Sequence, residues 1–149
     1  ILRTFSKAFG LAMLRLGYCV ANPELANILN EKAPLPYPVS GFSIRMGIKM
    51  LENMDIMRSA VSALKAERVK LIKALNQIKG VHAFESQADF IFINTQKPAD
   101  EVYEKLLNQG IMLKKWGKLL QYENCFRVTV GTPEMNRRLI EALNEIQSD

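Results

Sequence analysis

At 149 residues, 48% apolar and 23% charged, the chain has the composition of a globular protein, with apolar material for one ordinary core or a core plus a dependent segment. Its formal net charge of +5 comes from Lys and Arg interspersed with Asp and Glu after Glu24, without a basic run or a basic-aromatic stripe, which argues against a nucleic-acid partner. No apolar stretch nears the ~20 residues that cross a bilayer, because Arg15 interrupts the best candidate, and no signal or transit peptide is visible. Cys19 and Cys125 match no metal spacing and no disulfide framework, so they read as buried or free thiols of a reducing compartment, and a cytoplasmic protein is expected.

Residues 1–6 read as a short strand and 14–21 as a second, with 7–10 in the connection, where rigid flanking elements can hold catalytic groups. Ile1 stands where an initiator Met would, already inside the strand-like run, so the chain is expected to be a piece of something longer. Between Arg3 and Tyr18 the segment is purely cationic, since Arg3, Lys7 and Arg15 precede the first acid, Glu24. Thr4 and Ser6 supply hydroxyls, Gly10 lets backbone amides approach a ligand, and Arg15 can grip a phosphate with two parallel hydrogen bonds. Lys7 sits among them, and an amine held beside another cation and partly out of water is freed to condense with a carbonyl. The same residues also suit a solvated strand-to-helix loop with a surface lysine.

Asn22-Pro23-Glu24 is a helix start, with Asn as cap, Pro at the first helical position and an acid facing the dipole; Leu25, Ile28 and Leu29 are its expected buried stripe. Pro34, Pro36 and Pro38 make 34–39 a stiff, extended linker. Ser40 caps a second helix with Ile44, Ile48 and Leu51 on one face, and a long helix is expected over 55–79, stopped by Gly80. Its apolar positions are Val61, Leu64, Leu71, Ile72, Leu75 and Ile78, whereas Lys65, Glu67, Arg68, Lys70 and Lys73 read as a solvated face. Met46, Met50, Met54 and Met57 read as core packing.

From Val81 the texture changes to strand, helix, strand, strand, helix. Strands are expected at 90–94, 111–113 and 126–130, with 116–124 a polar connection, and helices opening at Pro98 and at Thr132-Pro133-Glu134. The last helix carries the stripe Leu139, Ile140, Leu143 and Ile146. In 126–130, Phe126, Val128 and Val130 share one face of the sheet and Arg127 and Thr129 the other, so Arg127 must find an anion, reach water or pair with a local acid such as Glu134. His82, beside Gly80, reads as structural or exposed.

Thr4-x-Ser6-Lys7, with Arg15 eight positions after the lysine, resembles the Schiff-base motif of class I and II aminotransferases, of the pyridoxal-phosphate fold type I family. The resemblance implies that Lys7 is the catalytic lysine joined to the cofactor, and that Thr4, Ser6 and Arg15 hold the phosphate of pyridoxal 5'-phosphate. Arg127-Val-Thr-Val-Gly-Thr-Pro-Glu-x-Asn136 further resembles the small-domain strand of histidinol-phosphate aminotransferases, which implies that Arg127 binds a substrate carboxylate. Lys114 falls about where that family has an arginine for the substrate phosphate, and acts as a point charge without the bidentate fork. Met13 stands in place of a Gly, expected to crowd a backbone near the phosphate site, and Asp89 in place of an Asn.

The resemblance covers essentially the whole chain and implies an α/β fold: the end of a large cofactor-binding domain over 1–40, long connecting helices over 41–80, and a small C-terminal domain over 81–149. The implied parent is a homodimeric transaminase of amino-acid and histidine biosynthesis, acting on small amino and 2-oxo acids, with neither metal, nucleic acid nor membrane involved. The other walls of its site are expected before the lysine motif, so this chain alone is expected to be inactive. Two further readings stand beside it: another fold type I enzyme, such as a decarboxylase of phosphorylated amino acids or an aromatic aminotransferase, and a non-catalytic fragment.

Overall fold

The computed structural model describes residues 1–32 and 39–148, so most of the expected proline-rich linker lies outside the described residues. The chain divides into two compact units, Ile1–Val61 and Ser62–Asp149.

In the first unit, strands β1 (Leu2–Thr4) and β2 (Gly17–Cys19) pair antiparallel with Arg3 opposite Tyr18 and Thr4 opposite Gly17. Both strands are shorter than their apolar runs suggest. The loop between them is closed by Phe5, whose N–H donates to the Leu16 carbonyl at 3.0 Å and whose carbonyl accepts from Leu11 at 2.9 Å. The Phe5 ring is buried, 4.6 Å from the Phe9 ring. Helix α1 (Pro23–Asn27) starts as its residues dictate, with the Asn22 side chain accepting from Leu25 N–H at 2.8 Å, and continues as a π-helical turn over Ile28–Lys32. Its expected stripe is not buried: Leu25, Ile28 and Leu29 are exposed, because so short a helix turns none of its faces onto a core among the described residues. Helix α2 (Gly41–Glu52), capped by Ser40, packs Gly47 against Leu16 and Phe5, while Ile44, Ile48 and Leu51 face outward. Met46, Met50, Met54 and Met57 are all half-buried, as packing residues would be.

The second unit contains the core. Strands β3 (Val81–Ala83), β4 (Phe90–Thr95), β5 (Lys114–Leu119) and β6 (Tyr122–Thr129) form an antiparallel sheet of order β3-β4-β6-β5. One face, carrying Ile91, Ile93, Phe126 and Val128, packs with Leu71 and Leu75 of α3 (Met54–Leu75), Val102 and Leu106 of α4 (Ala99–Asn108) and Leu139, Leu143 and Ile146 of α5 (Pro133–Ser148). Burying each of these large side chains contributes roughly 1.5–3 kcal/mol.

Three expectations are corrected. Helix α3 ends at Leu75, four residues before Lys79, because Asn76 turns back to bond both the N–H and the carbonyl of Ala83 at 2.8 and 3.1 Å. The strand expected over 111–113 is absent, those residues being irregular, and the polar connection expected over 116–124 lies instead within the β5-β6 hairpin, turned at Leu120 with a left-handed φ of 55°. Edge strand β5 is mostly exposed, so its polar run Lys-Lys-Trp-Gly-Lys carries no apolar alternation to betray it. Arg68 and Glu67 also leave the solvated face assigned to them: Arg68 is buried, and Glu67 accepts hydrogen bonds from Lys70 and Asn136.

Gly80 closes the turn into β3 with φ +82°, and a Cβ there would stand 2.9 Å from Gln147 Oε1. Gly80→Ala should therefore lower the unfolding free energy by roughly 1–2 kcal/mol, measured by urea denaturation; an unchanged midpoint would show that the turn relaxes freely.

Candidate active site

The β1-β2 hairpin gathers Thr4, Ser6, Lys7 and Arg15 within one loop of the first unit. Its shape is set locally. Thr4 Oγ1 accepts from the Ser6 N–H at 3.0 Å, Gly10 N–H donates to the Lys7 carbonyl at 2.8 Å, and Gly10 takes the left-handed φ of +68°. Nothing lies within 4 Å of where a Gly10 Cβ would stand, so the loop leaves open space on that side. Lys7 is exposed, two positions after the buried Phe5.

Arg15 is one of two non-glycine residues with positive φ among the described residues, at +48°, a conformation costing an L-residue roughly 1–2 kcal/mol. It follows the short 3-10 turn Ala12–Leu14, and its Nη1 donates to the Ala12 carbonyl at 3.0 Å. The guanidinium is otherwise unengaged among the described residues, so most of its donor edge is open. Local strain of this kind concentrates at functional sites. Met13, in the same turn, is 94% exposed.

In the second unit, Arg127 and Lys114 are direct cross-strand partners, with both side chains on the face of the sheet opposite the core. Sequence reading placed the two residues separately; the β5-β6 register brings them together. Both line a pocket of about 440 Å³ with Gly131, Met135, Asn136 and Arg138. Arg127 stacks over Phe90, 5.3 Å from the ring centroid, and forms no ion pair among the described residues. Glu134, the local acid considered for it, is taken by Arg137 at 2.7 Å, whose hydrogen bond holds the Glu134 carboxyl below its ordinary range. Arg127 is thus a cation presented to a pocket without an internal counter-ion.

Asn136 is the residue that sequence reading missed here. Its buried amide accepts from the Gly131 N–H at 2.9 Å and donates to the Gly131 carbonyl at 3.1 Å, so it clamps the turn that follows β6. A second contact, to Glu67 at 3.4 Å, ties that clamp to α3. Glu67 is in turn held in its charged form, its carboxyl lowered first by the Lys70 hydrogen bond and further by Asn136. The visible signal was a Gly followed five positions later by an Asn in a helix's first turn. His82 is exposed and stacks on Tyr122 with ring centroids 5.5 Å apart.

Among the described residues no group of His, Cys, Asp and Glu could hold a metal ion, and no helix is long and apolar enough to cross a membrane. The family model for aminotransferase class I and II matches residues 1–143. Histidinol-phosphate aminotransferase 2 of Nostoc sp. is 44% identical over 150 residues, covering 99% of this chain and 38% of that protein. Among solved structures, the histidinol-phosphate aminotransferase from Clostridium acetobutylicum shares the fold with a TM-score of 0.84 at 21% identity, over 99% of this chain and 45% of the other. That from Sinorhizobium meliloti, in complex with pyridoxal-5'-phosphate, superposes with a TM-score of 0.80 at 23% identity, over 99% and 40%. The chain thus spans about two fifths of the length of the curated relatives it matches. With almost all of its residues accounted for by that family model, the chain belongs to the class I and II aminotransferases.

Proposed function

We propose that this chain carries the cofactor lysine and the substrate-binding cations of a pyridoxal-phosphate-dependent transaminase, whose parent enzyme moves an amino group between histidinol phosphate, or a related amino acid, and 2-oxoglutarate or glutamate. The observation that carries this reading is the single loop that holds Lys7 with Thr4, Ser6 and a strained Arg15, in a chain of this family. The donor set fits the cofactor: a primary amine for its aldehyde, and two hydroxyls and a guanidinium for its phosphate. In this reading residues 1–40 end a cofactor-binding domain, 41–80 connect, and 81–149 form the small domain of a homodimeric enzyme.

When bound, pyridoxal phosphate supplies an electron-withdrawing ring that stabilises negative charge developing at the substrate α-carbon. Lys7 Nζ would be the base and acid that moves the proton at the substrate α-carbon, with the bound ring supplying the sink for the charge left behind. Thr4, Ser6 and Arg15 fix the phosphate, so the lysine works against a stationary ring. Arg127 orients the α-carboxylate of glutamate or 2-oxoglutarate through two parallel hydrogen bonds, and Lys114 beside it holds a second anionic group as a point charge. Histidinol phosphate has no α-carboxylate, so in that half of the reaction the same two cations engage its phosphate.

Adding pyridoxal phosphate, reducing with borohydride and mapping the adduct by peptide mass should give one labelled residue, Lys7; uniform labelling of surface lysines, or none, contradicts the assignment. Because this chain is two fifths of its relatives' length, it should turn over no histidinol phosphate with 2-oxoglutarate on its own. Turnover by the isolated chain of verified mass would overturn that expectation.

A further inference from the structure

Four polar or charged side chains are buried among the described residues, Ser43, Arg68, Thr95 and Asn136, and three of them close their hydrogen bonds within the protein. Ser43 accepts from the Ser40 hydroxyl, Thr95 donates to the Lys97 carbonyl, and Asn136 clamps Gly131. Arg68 is different. It is 7% exposed, donates from Nη1 to the Ala88 carbonyl at 2.8 Å, and meets no carboxylate among the described residues. Its remaining donors have no protein partner among the described residues.

Its unused donors are not sealed in, since the only enclosed and unbonded side-chain nitrogen or oxygen among the described residues is Nε2 of Gln147. They open onto a groove of about 460 Å³ between α3 and the turn that precedes β4. Lys73, Gln77 and Gln87 add donors to its walls, Val69 and Ile72 add an apolar surface, and Glu85 adds one acid. Asn76 and Ser86 also line it but are committed to Ala83 and to Phe90 and Ala88. The groove shares no residue with the Lys7 hairpin or with the pocket of Lys114 and Arg127.

We propose that this groove is a binding site for a small carboxylate, gripped by the free edge of the Arg68 guanidinium. A planar carboxylate matches that edge with two parallel hydrogen bonds. Two cations against one acid leave the groove with a single net positive charge, which suits a monoanion better than a phosphate dianion. Glu85 further accommodates an ammonium on the same ligand, so a zwitterionic amino acid fits as well as a simple acid.

The test is a titration of the 149-residue chain with acetate and with glycine at constant ionic strength, following the side-chain N–H resonances of Arg68, Gln77 and Gln87 by NMR. Saturable shifts confined to these residues are expected, and inorganic phosphate should bind more weakly than acetate. Arg68→Lys should weaken acetate binding about tenfold, because an ammonium lacks the bidentate edge. Should that variant fail to fold, Lys73→Ala and Gln87→Ala keep the test decisive, each expected to weaken binding about threefold, as loss of one hydrogen bond of ~0.5–1 kcal/mol would. Non-saturating shifts, equal shifts around Lys114 and Arg127, tighter binding of phosphate than of acetate, or unchanged affinity in both alanine variants would each overturn the proposal.

Discussion

Strand β6 is the constraint on which the second unit depends. Phe126 and Val128 are drawn into the core by burial, and the two-residue period of a strand then leaves Arg127 no choice but the opposite face. A one-residue slip would expose Phe126 and bury a guanidinium, a change unfavourable on both counts, so the register is strongly held. The partner strand adds Lys114 at the same level, and Asn136 fixes the turn through which the strand leaves. Packing energy thus specifies where two cations stand, and their chemistry costs the core nothing.

The first unit solves its problem with less apolar material. Phe5 anchors the loop through one buried ring and two backbone hydrogen bonds, and Gly47 lets α2 come up against it. Around that anchor the polar residues are free to point outward. The left-handed Arg15 shows that the loop is held in a conformation its sequence would not choose locally. Together with the open side at Gly10, this leaves the loop with unpacked space beside its polar groups, as the proposed cofactor role requires.

Much of this was legible in the residues. Caps could be read directly, as at Asn22 and Ser40, because each acts within a few residues of itself, whereas the helix expected to run to Lys79 and stop at Gly80 ends four residues earlier, at Leu75. Alternation in 126–130 gave the facing of Arg127 for the same reason. What escaped was non-local. Strand β5 lies at an edge and has no buried face to pattern it, so its register with β6, and hence the meeting of Lys114 with Arg127, was invisible. Glu67 and Arg68 look like solvated helix charges until α5 and the turn before β4 fold over them. Leu25, Ile28 and Leu29 show the converse, an apolar spacing without a buried face among the described residues.

The central claim is that Arg127 is an anion receptor and not a structural cation. It is tested most directly by steady-state kinetics of Arg127→Gln in an enzyme of the relatives' full length that carries this chain. The account predicts a KM for 2-oxoglutarate raised about 30- to 100-fold, as loss of a charged hydrogen-bonded pair worth ~2–3 kcal/mol requires, with the thermal unfolding midpoint unchanged. An unchanged KM, or a loss of activity that simply follows a loss of stability, would contradict it.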